Sequence, residues 1–467
     1  MEAPFYLSEE EGSKSILVMN LMTDKQTLSD LNIFGKNGGD SIYAIFNRTF
    51  TRGGAELLEE MFRNPLSDVD AINERSSIIS TFSILKIHFP YEGEWFDAAD
   101  QYLQNTDVRT KLKEDDYSLG RKFNHLIAAD TMYKGIEKGV ISLIAILQTT
   151  SEFVGRIWNE VKDTPYSREL VAIDLLLQTA ALKQLLEEDI RKKLPFAKVA
   201  EYDNILRFRH RDNILKLLKH IYLVDIYISV SRTAIERKFC FPIALDAALQ
   251  TIVLEDFYHP ALTRPVANSL TITPASNIIF LTGANMAGKS TFMKALGIAM
   301  FLAQMGFPVP ASSMKFSVRD GIFTTINLPD NLSMGASHFY AEVLRVKNIA
   351  TELSRDKYLF VIFDELFRGT NVKDAYEATI AVTSAIARRK NCMFVVSTHI
   401  IEAGEVLKEK CENINFIYLP TLMEGNRPVY THKLADGITA DRHGMIIVEN
   451  EGILDILARK KSIKKTT

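Results

Sequence analysis

The sequence predicts an α + α/β architecture: an all-helical domain followed by an α/β domain that carries a phosphate-binding loop. Three observations predict it. From residue 1 to about 232, apolar residues recur at intervals of three and four, and glycine and proline are sparse. From about residue 233, short apolar runs alternate with helical stretches. Within that second region, Ile278 to Thr291 (IIFLTGANMAGKST) joins an apolar strand, a glycine loop and an apolar helix in the order a phosphate site requires. The division is drawn as 1–232 helical and 233–467 α/β.

Length and composition agree with this plan. A chain of 467 residues exceeds one ordinary core, and 47% hydrophobic with 24% charged residues is the balance of a folding globular protein. A net charge of −3 argues against polyanion binding over the whole surface. The three cysteines, Cys240, Cys392 and Cys411, form no CxxC pair, which fits a reducing compartment and offers no zinc site. The longest apolar stretch, Gly139 to Leu147, reads as a short buried helix rather than a membrane span. The acidic start MEAPFYLSEEEGSK lacks a signal-peptide pattern. A cytoplasmic protein with no membrane partner is expected.

In the helical half, Ala55 to Phe62 is amphipathic and stops at Asn64-Pro65, because proline cannot continue a helix. Ser67-Asp68 reads as an N-cap for Val69 to Phe82. Asp174 to Lys193 and Asp212 to Arg237 are further helical segments. Arg207 to Arg211 (RFRHR) is read as a solvated helix face in preference to a nucleic-acid contact, since the surrounding charge is mixed. The acidic run Glu114 to Asp116 is read as a surface loop.

In the second half, strand material is expected in Thr271 to Leu281, Tyr358 to Phe363 and Cys392 to Ser397. Asn415 to Leu419 and Arg427 to Leu434 are expected to pair as antiparallel strands. A doubly wound sheet gathers its ligand-binding residues at the carboxyl ends of its strands. That rule brings together Gly283 to Ser290, Asp364-Glu365 and His399.

The chemistry follows from residue type. Gly283 and Gly288 let the loop turn its amides toward an anion, and the helix that follows adds its dipole. Lys289 can reach β- and γ-phosphates, and Ser290 can hold magnesium. Asp364 supplies one carboxylate on a rigid strand end as a second magnesium ligand, and Glu365 can polarise a water. Two adjacent acids at a buried strand end need a compensating cation. His399 is placed to orient that water or bond a γ-phosphate. The polar loop Asn331 to Phe339, with Ser337 before a helix, is a second anion site; it and Arg368 to Asn371 with Asp374 could serve a partner subunit.

These residues resemble the MutS-type ATPases of DNA mismatch repair, relatives of the ABC and SMC ATPases. Thr282 to Thr291 resembles the family's TGPNMGGKST, Tyr258-His259-Pro260 its RHP, and Val309-Pro310-Ala311 its VPA. Leu332 to Phe339 resembles its signature loop, Asp364 to Thr370 its DExGRGT, and Ser397-Thr398-His399 its ATH. Phe46 to Gly54, then Arg63 to Leu66, Asp70 and Ile72 to Arg75, resemble the start of its lever or core domain. The resemblance implies an ABC-class P-loop NTPase domain behind a helical lever, using ATP and Mg2+. It implies nucleotide contacts from Gly283, Ala284, Asn285, Met286, Ala287, Gly288, Lys289, Ser290 and Thr291, with Ser290 and Asp364 on the metal and Lys289, Glu365 and His399 in hydrolysis. It further implies a homodimer in which Ser337 of one copy meets the γ-phosphate held by Lys289 of the other, DNA (mismatched, branched or otherwise distorted) gripped by the lever ends, and a repair-protein partner.

Departures are equally specific. On this resemblance the protein is expected to lack the family's mismatch-reading and connector domains and to have a reduced carboxyl-terminal dimerisation segment. Ala287 and Phe367 stand where the family has glycine, and Met334 and His338 alter the signature loop. Slow turnover, stimulated by DNA or a partner, is expected. Three readings stay open: an ATPase acting on distorted DNA, which the resemblance favours; a mechanical ATPase whose helical half binds protein; and a low-turnover nucleotide-gated module.

Overall fold

Capping chemistry sets the limits of the first helices. The computed structural model describes residues 20–35, 39–112, 126–284, 286–326, 338–425, 427–439 and 453–458. Helix α1 (Lys25–Asp30) starts where the Asp24 carboxylate accepts from the Thr27 amide, α2 (Ile42–Phe46) where Ser41 accepts from Ala44. Thr51 caps α3 (Arg52–Arg63) and Asp68 caps α4 (Val69–Leu85) in the same way. Helices α5 (Gly93–Gln104), α6 (Leu126–Val161), α7 (Ser167–Leu177), α8 (Ala180–Leu186), α9 (Phe196–Asp203) and α10 (Arg211–Arg237) follow. Glu114 to Asp116, the first nineteen residues and the basic tail Lys460 to Lys465 lie outside the described residues.

Three expectations are corrected here. Gly139 to Leu147 is not a short helix but the middle of the 36-residue α6. The stretch from Thr131 to Val161 is long and apolar enough to cross a membrane by length and composition. Its apolar side, including Val140, Leu143, Ile144 and Leu147, is buried in the helical core. Asp174 to Lys193 is broken at Gln178-Thr179 and again after Leu186. Arg207 is not solvated. Its guanidinium is fully buried and holds both oxygens of Asp203, at 2.8 and 2.7 Å, as well as the Thr110 hydroxyl and carbonyl. It lies in a π-helical turn, Asn204–Arg209, that joins α9 to α10. The charged pair is tolerated there because every donor is satisfied.

A second buried carboxylate explains the paired glycines near the start of the helical half. Asp225, in the middle of α10, accepts from the amides of Phe50 and Thr51 and from the Thr51 hydroxyl. Thr51 passes the chain of bonds on by accepting from the Gly54 amide. A Cβ at Gly53 would sit 2.4 Å from the Tyr222 ring, and one at Gly54 would sit 2.6 Å from an Asp225 oxygen. The glycines let α3 approach α10 this closely.

Among the described residues the second half holds three sheets, of six, four and two strands. The largest has the order β12-β9-β4-β8-β7-β6, where β4 is Ile278–Gly283, β6 Gly321–Thr325, β7 Leu359–Asp364, β8 Met393–Ser397, β9 Ile414–Leu419 and β12 Ala435–Asp436. All neighbours are parallel except β12 with β9. The four-stranded sheet has the order β1-β5-β2-β3, with β1 Ile243–Leu245, β2 Ile252–Phe257, β3 Asn268–Ile272 and β5 Ser313–Ser317. Helix α11 (Lys289–Gln304) packs on strands of these two sheets and is buried almost all round, which is why its sequence is apolar on every face. Helices α12 (His338–Leu353), α13 (Val372–Ile386), α14 (Ile401–Lys410) and α15 (Ile453–Ala458) complete the described elements. Arg427 to Leu434 does not pair with Asn415 to Leu419. Strand β11 (Arg427–Tyr430) forms a hairpin with β10 (Thr421–Glu424), while β9 enters the main sheet beside β4. An apolar strand gains more from a place inside the sheet, covered on both faces, than from a solvent-exposed ribbon.

The two halves share one apolar core. Phe62 of α3 packs on Phe301 of α11 and on Phe307, and Phe46 packs on Phe307. The N-terminal segment crosses to the sheet: Met22 bridges to Gly321, the Thr27 hydroxyl accepts from the Thr324 amide, and Asp30 accepts from Thr324 and Ile326. This segment covers β6, the edge strand of the main sheet. The expected division at residues 232 and 233 falls inside α10.

Candidate nucleotide site

The site is assembled from strand ends. Strand β4 ends at Gly283 (φ +148°), the loop turns at Met286 (φ 72°) and Gly288 (φ +105°), and Lys289 begins α11. Gly283 and Gly288 adopt φ values that side chains resist, and a Cβ at either would meet Leu419 or His432. Ala287 is buried and is not among the described residues of positive φ, so alanine fits its backbone there. Phe367 does occupy the left-handed region (φ 64°), as does Glu365 (φ 52°). Of these two replacements of glycine, only Phe367 therefore holds a backbone conformation that glycine adopts more readily. Asn285 lies outside the described residues, as does the loop to Ser337 with Met334; the His338 side chain is likewise not described.

Parallel register brings the other groups to the same end of the sheet. Asp364 ends β7 and pairs in register with Ser397, which ends β8. The Ser290 hydroxyl donates to Asp364 Oδ2 at 2.7 Å. Lys289 Nζ donates to the carbonyls of Gly283 (2.8 Å) and Ala284 (3.3 Å) and lies 3.4 Å from His399 Nδ1. His399 Nε2 bonds Glu365 Oε1, and Arg368 approaches the other carboxylate oxygen at 3.5 Å. An ammonium only donates, so His399 Nδ1 is the acceptor and the ring proton sits on Nε2, facing Glu365. Thr291 lies one residue further along α11 and is exposed. Asn371 caps α13 by accepting from the Asp374 amide, so both are engaged locally.

Electrostatics separate the two acids. Burial raises the pKa of Asp364, against a hydrogen bond from Ser290. The hydrogen bond from His399 lowers that of Glu365 despite burial. Burial lowers that of Lys289, against the pull of Glu365 and Asp364. The arrangement fits a divalent cation: Asp364 Oδ1 is buried with no hydrogen-bond partner among the described residues, and Oδ2 accepts from the Ser290 hydroxyl. Hard oxygen donors of this type suit magnesium.

One functional candidate was invisible in the sequence. His432, in the loop after β11, donates through Nδ1 to the Ala287 carbonyl at 2.8 Å and so braces the phosphate loop from outside. Asn268 holds this loop by donating to the His432 carbonyl and accepting from the Leu434 amide. His432 also lines a cavity of about 250 Å3 beside the loop, with Tyr258, His259, Pro265, Val266 and Phe292. A lone histidine beyond a hairpin has no motif around it, and only the tertiary fold places it.

Comparison with known proteins agrees with these features. Residues 26–236 match the family model for MutS domain III, and residues 279–466 match that for MutS domain V. The chain is 28% identical over 289 residues to the DNA mismatch repair protein MutS of Persephonella marina (strain DSM 14350 / EX-H1). That alignment covers 59% of this chain and 32% of the relative, so the chain spans well under half of the relative's length.

Proposed function

We propose that this chain, which carries matches to MutS domains III and V, is a MutS-type ATPase that couples hydrolysis to movement of its helical half on DNA. The observation that carries the reading is the convergence of Lys289, Ser290, Asp364, Glu365 and His399 at the carboxyl ends of β4, β7 and β8. The loop from Gly283 to Thr291 would cradle the phosphates, with Lys289 leaving the carbonyls of Gly283 and Ala284 to meet them. The cavity bounded by Tyr258, Val266 and His432 has room for a nucleobase next to that loop. Ser290 and Asp364 would hold Mg2+, which when bound neutralises phosphate charge. Glu365, kept ionised by His399, would accept a proton from the attacking water, and His399 would keep the carboxylate oriented.

In this reading the protein works as a homodimer, with Ser337 of the second copy completing the site, and lives in the cytoplasm. Its DNA is mismatched, branched or otherwise distorted, and a repair protein is a further partner. The test is ATP turnover with homoduplex, mismatched, branched and single-stranded DNA, with Lys289→Ala as control. Stimulation by one distorted DNA, lost in the control, supports the reading. Turnover indifferent to every DNA removes the DNA part and moves the helical half to a protein partner. A nucleotide-gated module of low turnover is the second reading, favoured by the hold of both His399 and Arg368 on Glu365.

A further inference from the structure

The turn after β7 is held by packing rather than by backbone preference. Glu365 and Phe367 both sit at positive φ, two residues apart, where side chains with a Cβ are strained. Glu365 is pinned by its amide to the Ser397 carbonyl at 2.9 Å and by its carboxylate to His399. Among the described residues Phe367 has no such polar anchor. Its ring is buried, 5% exposed, and packs at 6.1 Å and 59° against Phe339 in the first turn of α12. Between them Leu366 is also buried in the same cluster. Helix α12 is in turn fixed at its middle: Arg345 donates to the Thr324 carbonyl at 2.6 Å and pairs with Asp24. A glycine at 367 would adopt this turn without any anchor; a phenylalanine adopts it only while its ring has somewhere to go.

We infer that Phe367 is a positioning residue for Glu365, and that Phe339 on α12 is the other half of the anchor, so that the seating of α12 sets the orientation of the hydrolytic carboxylate. The inference rests on the ATPase reading above. It adds a route by which whatever moves α12 alters hydrolysis without touching the nucleotide.

The experiment compares wild type with Phe339→Ala, Phe339→Leu, Phe367→Ala and the double alanine variant, all checked for a native thermal transition. Single-turnover ATP hydrolysis is measured beside affinity for a fluorescent ATP analogue and amide exchange of the segment 359–371. Misplacing a reacting group by an ångström can cost orders of magnitude in rate, so Phe339→Ala is expected to lose about tenfold or more in hydrolysis. Affinity should stay within about twofold, since neither residue of the anchor belongs to the phosphate loop. Exchange in 359–371 should rise, Phe339→Leu should recover most of the rate, and the double variant should be no slower than either single one. Unchanged hydrolysis in Phe339→Ala, or additive losses in the double variant, would overturn the inference while leaving the ATPase reading intact. A wild-type protein with no turnover that depends on Lys289 would remove both. If the alanine variants fail to fold, Phe339→Leu carries the same test: full rate with raised exchange in 359–371 counts against the anchor, and a partial loss at unchanged affinity supports it.

Discussion

His399 stands between Lys289 and Glu365, its Nδ1 3.4 Å from the ammonium and its Nε2 bonded to the carboxylate. The imidazole therefore links the group that would meet phosphate to the group that would handle water. Replacing His399 with alanine breaks the link while leaving every residue of the phosphate loop in place. Turnover should fall by roughly 10²-fold, the usual scale for losing an acid–base or orienting group, while ATP-analogue affinity changes only a few-fold. Lys289→Ala should instead lose affinity itself. Equal effects of the two substitutions on affinity would contradict the division of roles.

Asp364 is costly in the free protein. It is half-buried, one oxygen has no hydrogen-bond partner among the described residues, and desolvation raises its pKa. Asp364→Asn should leave the ligand-free protein at least as heat-stable as wild type and abolish the added stability conferred by Mg2+ with ATP. Ligand-induced stabilisation follows RT ln(1 + [L]/Kd), so thermal melts with and without Mg-ATP measure it directly. Retention of the full Mg-ATP shift in Asp364→Asn would exclude this carboxylate from the metal site.

Glu169 predicts a pH dependence far from the site. Tyr227 donates to one of its oxygens at 2.8 Å, the other is buried without a partner, and burial pushes its pKa from 4.5 to about 7. The folded state therefore binds the proton more tightly than the unfolded state. Between pH 4.5 and 7 unfolding releases a proton, so stability falls as pH rises across that window and stays low above it. The contribution is about 3 kcal/mol at most. Urea unfolding of wild type and Glu169→Gln at pH 5 and pH 8 should show the gap between the two pH values narrowing in the variant. An unchanged gap would assign the dependence elsewhere.

The contact between α3 and α10 should tolerate little. Gly54→Ala forces a methyl against Asp225 and is expected to cost about 1–3 kcal/mol, the usual scale for overpacking. Asp225→Ala leaves the Phe50 and Thr51 amides without their acceptor and should cost about 2–4 kcal/mol. Denaturant midpoints give both values. A neutral Asp225→Ala would mean that water replaces the carboxylate.

Much of this site was legible because its chemistry is local. A glycine loop between strand and helix is written in consecutive residues, since positive φ and the lysine and serine that follow are set by neighbours in the chain. Asp364, Glu365 and His399 could be grouped because a parallel sheet sends its strand ends to one side. Helix limits such as Asp68 and Asn64-Pro65 were legible for the same reason: a cap or a missing amide acts within a single turn.

What the tertiary structure alone decided are partnerships between residues distant in sequence. His432 reaches Ala287 across a hairpin, Asp225 holds the capping residue of a helix 174 residues earlier, and Met22 and Asp30 seal the edge of a strand that forms three hundred residues later. Arg207, which reads as a surface charge, is buried because Asp203 and Thr110 together satisfy its fork. Phe367, which reads as a lost glycine, finds its compensation in Phe339. Periodicity and turn chemistry fix what a segment is by itself. Which segment it meets depends on filling a shared core and satisfying every buried polar group at once, and that is a condition on the whole chain.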